Sequence, residues 1–191
     1  MNICIYGSAS NDIDRNYIER TEEFAKTLAK RGHSLVFGGG ANGLMGAAAR
    51  GFFSQNAKIV GVVPKFFNVD GILFSDCDEM IRTDTMRQRK QIMDDMADAF
   101  ITTPGGIGTY EEFFEILTLK QLCRHNKPIA IYNINGYYDS LHEVMKQAIG
   151  KNFIKENCLE LYRITDNLCD IIAYIEDENR NIRTVKELKD G

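Results

Sequence analysis

Five short apolar runs recur along the chain, each separated from the next by a stretch of helical periodicity. This alternation narrows the choice of fold more than any other feature. The runs are NICIY at 2–6, SLVF at 34–37, KIVGVV at 58–63, DAFITT at 98–103 and PIAIYN at 128–133. They are nearly continuous in apolar character, as strands covered on both faces are. Helical patterns fall at roughly 14–31, 43–54, 84–97, 109–123, 137–149 and 166–177, with Asp84 and Thr109 as candidate N-caps. Such a rhythm specifies an α/β fold: a Rossmann-like, doubly wound parallel sheet with helices on both faces. One domain is expected over 1–177, followed by a charged C-terminal tail at 178–191. The segment 64–80 is the longest connection and is expected to form a lid or one wall of a site.

Composition closes off several function classes. The 191 residues are 44% hydrophobic, enough for one core of ordinary domain size, and the formal net charge is -4. A nucleic-acid sleeve or an anionic membrane surface needs a basic footprint that this chain lacks. No apolar run approaches the ~20 residues that span a bilayer, and MNICIYGSAS does not read as a signal peptide. The five cysteines are scattered, odd in number and form no CxxC pair, which fits reduced thiols in a cytoplasmic protein. With three histidines, none at ligand spacing, no metal site is expected.

Two of the strands end in glycine clusters. Gly38-Gly39-Gly40-Ala41-Asn42-Gly43 formally satisfies GxGxxG. A dinucleotide site also wants an acid at the end of the next strand to hold the ribose. Here that strand runs on as GVVPKFF with no acid until Asp70, which disfavours a nicotinamide cofactor. Two readings fit this turn: close strand-to-helix packing alone, or packing that also contacts a ligand. The second cluster, PGGIGT at 104–109, says more. Glycines at 105, 106 and 108 leave backbone N–H groups uncovered, and a helix starting nearby adds its positive end. Without a following GK[ST], this is no ATPase P-loop, and a monophosphate suits it better than a triphosphate.

Five charged residues stand on the helices beside these turns. Thr109-Tyr110-Glu111-Glu112 has capping-box spacing, so Glu112 is either a structural cap or a working carboxylate. Glu111 and Glu115 share a helical face. The remainder of that helix is apolar nearly all round, which calls for cover on more than one side. Earlier, in DTMRQRKQIMDDM, Arg89 falls on the same stripe as Met86, Ile92, Met93 and Met96, with Lys90 at its edge. A guanidinium on a core-facing stripe needs an anion. That anion is either a structural carboxylate or a bound ligand.

GGGANGLMG (38–46), MRQRK (86–90) and PGGIGTYEE (104–112) resemble the signature blocks of the LOG (Lonely Guy) family, and the likeness runs on through KPIAIYNINGYYDSL (127–141). These are cytokinin riboside 5'-monophosphate phosphoribohydrolases, sometimes labelled lysine decarboxylases. The resemblance implies hydrolysis of the N-glycosidic bond of a purine nucleoside 5'-monophosphate, AMP or an N6-modified relative, giving free base and ribose 5-phosphate. It places catalytic roles on Arg89 and Glu112. It places substrate binding on Gly39, Gly40, Met86, Lys90, Gly105, Gly106, Ile107, Gly108, Thr109 and Glu111. Ser8 joins Gly105, Gly106, Gly108 and Thr109 around the phosphate. It further implies no cofactor, a small-molecule nucleotide as the only ligand class, and a homodimer with the site near the interface. The segment 64–80 does not match plant members closely, which leaves the base open. A lysine decarboxylase would need a lysine for pyridoxal phosphate in a suitable setting, and none is evident. A non-catalytic nucleotide or molybdenum-cofactor carrier is the alternative, because related carriers share the glycine-rich fold.

Overall fold

The computed structural model describes residues 1–67 and 71–177, so the expected tail at 178–191 lies outside the described residues. Its chain order is β1 (Asn2–Tyr6), α1 (Arg15–Lys30), β2 (Ser34–Phe37), α2 (Gly43–Phe53), β3 (Ile59–Pro64), β4 (Glu79–Thr83), α3 (Met86–Met96), β5 (Ala99–Thr102), α4 (Ile107–Gln121), β6 (Ile129–Tyr132), α5 (Asp139–Gly150), β7 (Arg163–Thr165) and α6 (Leu168–Glu176). The strands form one sheet in the order β4-β3-β2-β1-β5-β6-β7, and every neighbouring pair is parallel. The expected doubly wound parallel sheet is what forms.

Period-two alternation divides the core into two layers. Ile3, Ile5, Leu35, Phe37, Ile101 and Tyr132 point to one face, where Phe24 and Leu28 of α1, Phe52 of α2 and Ile171 of α6 cover them. Cys4, Tyr6, Val36, Val62, Phe100 and Ile131 point to the other, under Met93 of α3 and Phe113, Ile116 and Leu117 of α4. Both faces of each central strand are therefore apolar, which is why those strands read as unbroken hydrophobic runs.

Two strands fall outside the sequence expectation. β4 occupies the end of the 64–80 connection and pairs only with β3. As an edge strand it is half-exposed and keeps Glu79 and Arg82 in solvent, so it carries no apolar run. β7 has three residues, too few to set up a period. The helix caps are corrected as well. Thr85, not Asp84, caps α3, its hydroxyl accepting from Gln88 N at 3.2 Å, while Asp84 accepts from Lys65 Nζ at 2.6 Å. Gly106, not Thr109, is the N-cap of α4.

The last helix is tied to the α1–β2 corner. Glu176 accepts from Arg31 Nε at 2.8 Å and lies 2.8 Å from His33 Nε2. The Arg31 hydrogen bond, with help from His33, pulls its carboxyl from the ordinary 4.5 down to about 2. A depressed carboxyl adds stability that is present above pH 4.5 and is lost as pH falls through about 2. Glu176→Gln is therefore expected to lower the melting temperature at pH 7 and to leave it unchanged near the acid end. An equal drop at both pH values would rule this clamp out.

Candidate active site

The chain order of the strands reverses at β1, which has β2 on one side and β5 on the other. Open parallel sheets bind ligands at such a point, beyond the carboxyl ends of the strands. A cavity of about 570 Å³ sits there. Its walls come from the turns after β1 (Gly7, Ser8, Ala9), β2 (Gly38, Gly40, Asn42) and β5 (Gly106), with Val63 from β3, Met45 from α2, Met86 and Arg89 from α3, Gly108, Thr109, Glu111 and Glu112 from α4, and Phe67, Ile72 and Leu73 from the long connection.

The two glycine clusters do different work. At α2, the helix start is already occupied: Leu44 N and Met45 N donate to Ser8 O at 2.8 and 3.2 Å, and Gly43 N donates to Asn11 Oδ1 at 2.8 Å. Gly39 has φ +75°, with Val63 so near that a Cβ would lie 2.3 Å from its Cγ2. This turn is built chiefly for close packing. At α4 the helix start is open. Gly106 provides no side-chain cap, and the first helical bond runs from Tyr110 N to Gly106 O at 3.1 Å. The amides of Gly106, Ile107, Gly108 and Thr109 have no partner among the described residues. The preceding carbonyls, in contrast, are pinned from behind. Tyr138 Oη donates to Thr103 O at 2.9 Å, Ser8 N to Pro104 O at 3.0 Å and Tyr137 Oη to Gly105 O at 2.8 Å. Four free donors on a positive helix end make an anion cradle.

Arg89 and Glu112 meet in the same cavity. Arg89 is 7% exposed; its Nε donates to Val62 O at 3.1 Å and its Nη1 to Glu112 Oε1 at 2.9 Å. The anion that Arg89 finds is the carboxylate of Glu112, and Glu112 is no capping box. With α4 beginning at Ile107, Glu112 stands in the second turn, beyond reach of the N-cap amide. Burial lifts its carboxyl above the ordinary 4.5, and Arg89 opposes the lift by charge and hydrogen bond. Beneath the pair, buried Tyr6 donates to Asp94 Oδ1 at 3.2 Å, and burial pushes the Asp94 carboxyl up to about 6. Glu111 and Glu115 do share a face, and Lys90 bridges both of them.

Of the residues expected to bind substrate, Ser8, Gly40, Met86, Gly106, Gly108, Thr109 and Glu111 line the cavity. Gly39, Lys90, Gly105 and Ile107 do not. Gly39 packs on Val63, Lys90 is paired with Glu111, Gly105 lies against Thr109, and the Ile107 side chain is 89% exposed. The long connection forms the wall expected of it. Ala41 N donates to Ile72 O at 2.8 Å and Phe74 N to Gly39 O at 2.9 Å, zipping 72–74 against the first glycine turn. Met45, Val63, Phe67, Ile72 and Leu73 are apolar lining residues that sequence reasoning missed, and an apolar residue in a loop carries no signal of its own. Among the described residues no group of three or more His, Cys, Asp or Glu side chains could hold a metal ion, and no helix is long and apolar enough to cross a membrane.

A family model described as possible lysine decarboxylase matches residues 45–175. The cytokinin riboside 5'-monophosphate phosphoribohydrolase LOG2 of Arabidopsis thaliana is 33% identical over 175 residues, 92% of this chain and 82% of that protein. A cytokinin riboside 5'-monophosphate phosphoribohydrolase of Mycobacterium tuberculosis is 35% identical over 170 residues, 89% of this chain and 90% of that one. Among solved structures, the molybdenum cofactor carrier protein of Chlamydomonas reinhardtii superposes with a TM-score of 0.69 at 21% identity, covering 90% of this chain and 93% of that one; this likeness is one of fold. Carried by sequence across most of its length, with the glycine-rich helix start and the arginine–glutamate pair gathered in one cavity, this chain belongs to the LOG family.

Proposed function

We propose that the protein hydrolyses the N-glycosidic bond of an adenine-type nucleoside 5'-monophosphate. The observation that carries this reading is the division of one cavity into an anion cradle of four free amides and a buried Arg89–Glu112 pair. The phosphate takes the amides of 106–109, Glu111 meets the ribose hydroxyls, and the base lies against Met45, Val63, Phe67 and Ile72. Water then bonds to the anomeric carbon as the bond from that carbon to the base nitrogen breaks. The electron pair leaves with the base, which ends up carrying one proton, and the sugar keeps the hydroxyl. Positive charge develops on the ribose in this step, as in glycoside hydrolysis. The Glu112 carboxylate stabilises that charge and takes a proton from the water. That proton passes on to the departing base, which returns Glu112 to its carboxylate form. Arg89 keeps Glu112 ionised and in place, a role suited to a group that does not give up its own proton. Binding the remote phosphate contributes to positioning the reacting bond.

The relatives named as phosphoribohydrolases support this chemistry, whereas the carrier reading rests on fold alone. The test is release of free base from AMP and from N6-isopentenyl-AMP, with adenosine as control and Arg89→Ala and Glu112→Ala beside the parent chain. Release from the monophosphates but not adenosine, abolished in both variants, is expected, and the better substrate identifies the base. Binding of AMP without release from either nucleotide would put the carrier in its place.

The reading extends to a homodimer. Phe114 in α4, Leu122 just after it, Val144 in α5 and Phe153 beyond it are large apolar side chains left exposed, Phe153 by 80%, and a second copy of the chain is the cover proposed for them. Light scattering is expected to give twice the 21.7 kDa chain mass. A single-chain mass at micromolar concentration would remove this part of the proposal.

A further inference from the structure

We propose that Gly38 is a positioning residue whose missing side chain is the seat of the Arg89 guanidinium. Arg89 is held on two edges by named partners, Val62 O on Nε and Glu112 on Nη1. The third edge, Nη2, lies on Gly38. A Cβ there would fall 2.0 Å from Nη2 and 3.2 Å from both Cζ of Arg89 and Sδ of Met45. These three nearest atoms all belong to the ends of long side chains, and none is backbone.

This separates Gly38 from its neighbours in the cluster. Gly39 and Gly43 have φ of +75° and +56°, where any side chain strains the backbone. Gly38 is outside that region, so alanine fits its backbone. The fold can accept Gly38→Ala, and what must give way is the guanidinium. Turning it off Gly38 swings Nη1 away from Glu112 Oε1. The glycine thus acts through Arg89 on Glu112, with no contact of its own to the reacting atoms.

The test is a cycle of Gly38→Ala, Arg89→Lys and the double variant, each checked by thermal melting. Its turnover arm rests on the proposed phosphoribohydrolase reading. Gly38→Ala is expected to melt near the parent temperature and to lower kcat about tenfold or more, the scale of one displaced charge-assisted hydrogen bond, with KM nearly unchanged. Lysine has no Nη2, so in the Arg89→Lys background the same alanine is expected to change kcat less than about twofold. An equal loss in both backgrounds, unchanged kcat in Gly38→Ala, or a Gly38→Ala chain that does not fold would each overturn the proposal. A second arm needs no activity. Carboxyl NMR of the ligand-free protein should show Glu112 titrating at higher pH in Gly38→Ala than in the parent, because Arg89 no longer opposes the burial of the carboxylate. An unchanged Glu112 titration overturns the proposal even in a chain that hydrolyses nothing, so its failure is distinct from failure of the functional reading.

Discussion

Glu112→Gln is expected to lower turnover about a thousandfold, within the 10²–10⁴ range of a positioned acid–base group, while nucleotide affinity stays within about threefold. Glutamine is the informative replacement. It keeps a carbonyl oxygen where Arg89 Nη1 donates at 2.9 Å, and it removes only the charge. Alanine would leave a guanidinium that is 7% exposed without its partner, and stranding one half of a buried ion pair costs roughly 3–5 kcal/mol of stability. A loss of activity in alanine alone would therefore confuse an unfolded site with an unarmed one. Single-turnover base release and calorimetric binding, measured side by side, separate the two. Retention of a third or more of the parent turnover by the glutamine variant would remove Glu112 from the chemistry.

The same pair sets a pH signature. The proposed reaction uses Glu112 as a carboxylate, and burial raises its folded-state value above 4.5, against the opposing pull of Arg89. Turnover is thus expected to fall on the acid side through a limb above 4.5, at higher pH than an ordinary glutamate would give. An ion pair in this setting is a poor stabilising device, since desolvating two charges consumes much of what their attraction returns. Its place inside a cavity, instead of between packed helices, is what a site requires and a scaffold does not.

How much of this was legible in the sequence depends on which residues speak locally. The five interior strands announce themselves because both faces are apolar, and Arg89 does so because a cation on an apolar stripe is out of place. β4 is silent: Glu79 and Arg82 face solvent at the sheet edge and break the pattern. The cap of α4 misleads because Thr109 and Glu112 stand at capping-box spacing, so Thr109 outbids Gly106 on paper. In the fold, the uncapped start leaves its amides without a partner among the described residues, as the proposed phosphate site requires. A local rule is broken where function needs it broken. The apolar cavity wall formed by Phe67, Ile72 and Leu73 depends on how the long connection folds back on Gly39–Ala41. Nothing within 64–80 encodes a contact with residues some thirty positions earlier.

The cradle itself can be tested by removing one donor and nothing else. Ile107 is the first residue of α4, a position where proline is favoured because its fixed φ suits the helix and its missing N–H is an orphan. The residue before it, Gly106, has φ -93° and ψ -154°, the extended conformation a following proline demands. The Ile107 side chain is 89% exposed, so its loss opens no hole in the core. Ile107→Pro is therefore expected to leave the melting temperature within a few degrees of the parent. It also deletes one of the four uncommitted amides. If those amides hold the substrate phosphate, one lost bond to a charged group costs about 1.5–3 kcal/mol, so the dissociation constant for AMP rises roughly 10- to 100-fold. Adenosine, with nothing to place on the cradle, should bind the two proteins equally. Equal weakening for AMP and adenosine would mean that proline had disturbed the pocket generally. Unchanged AMP affinity with an unchanged melt would place the phosphate elsewhere, and with it the orientation of the bond that Glu112 is asked to break.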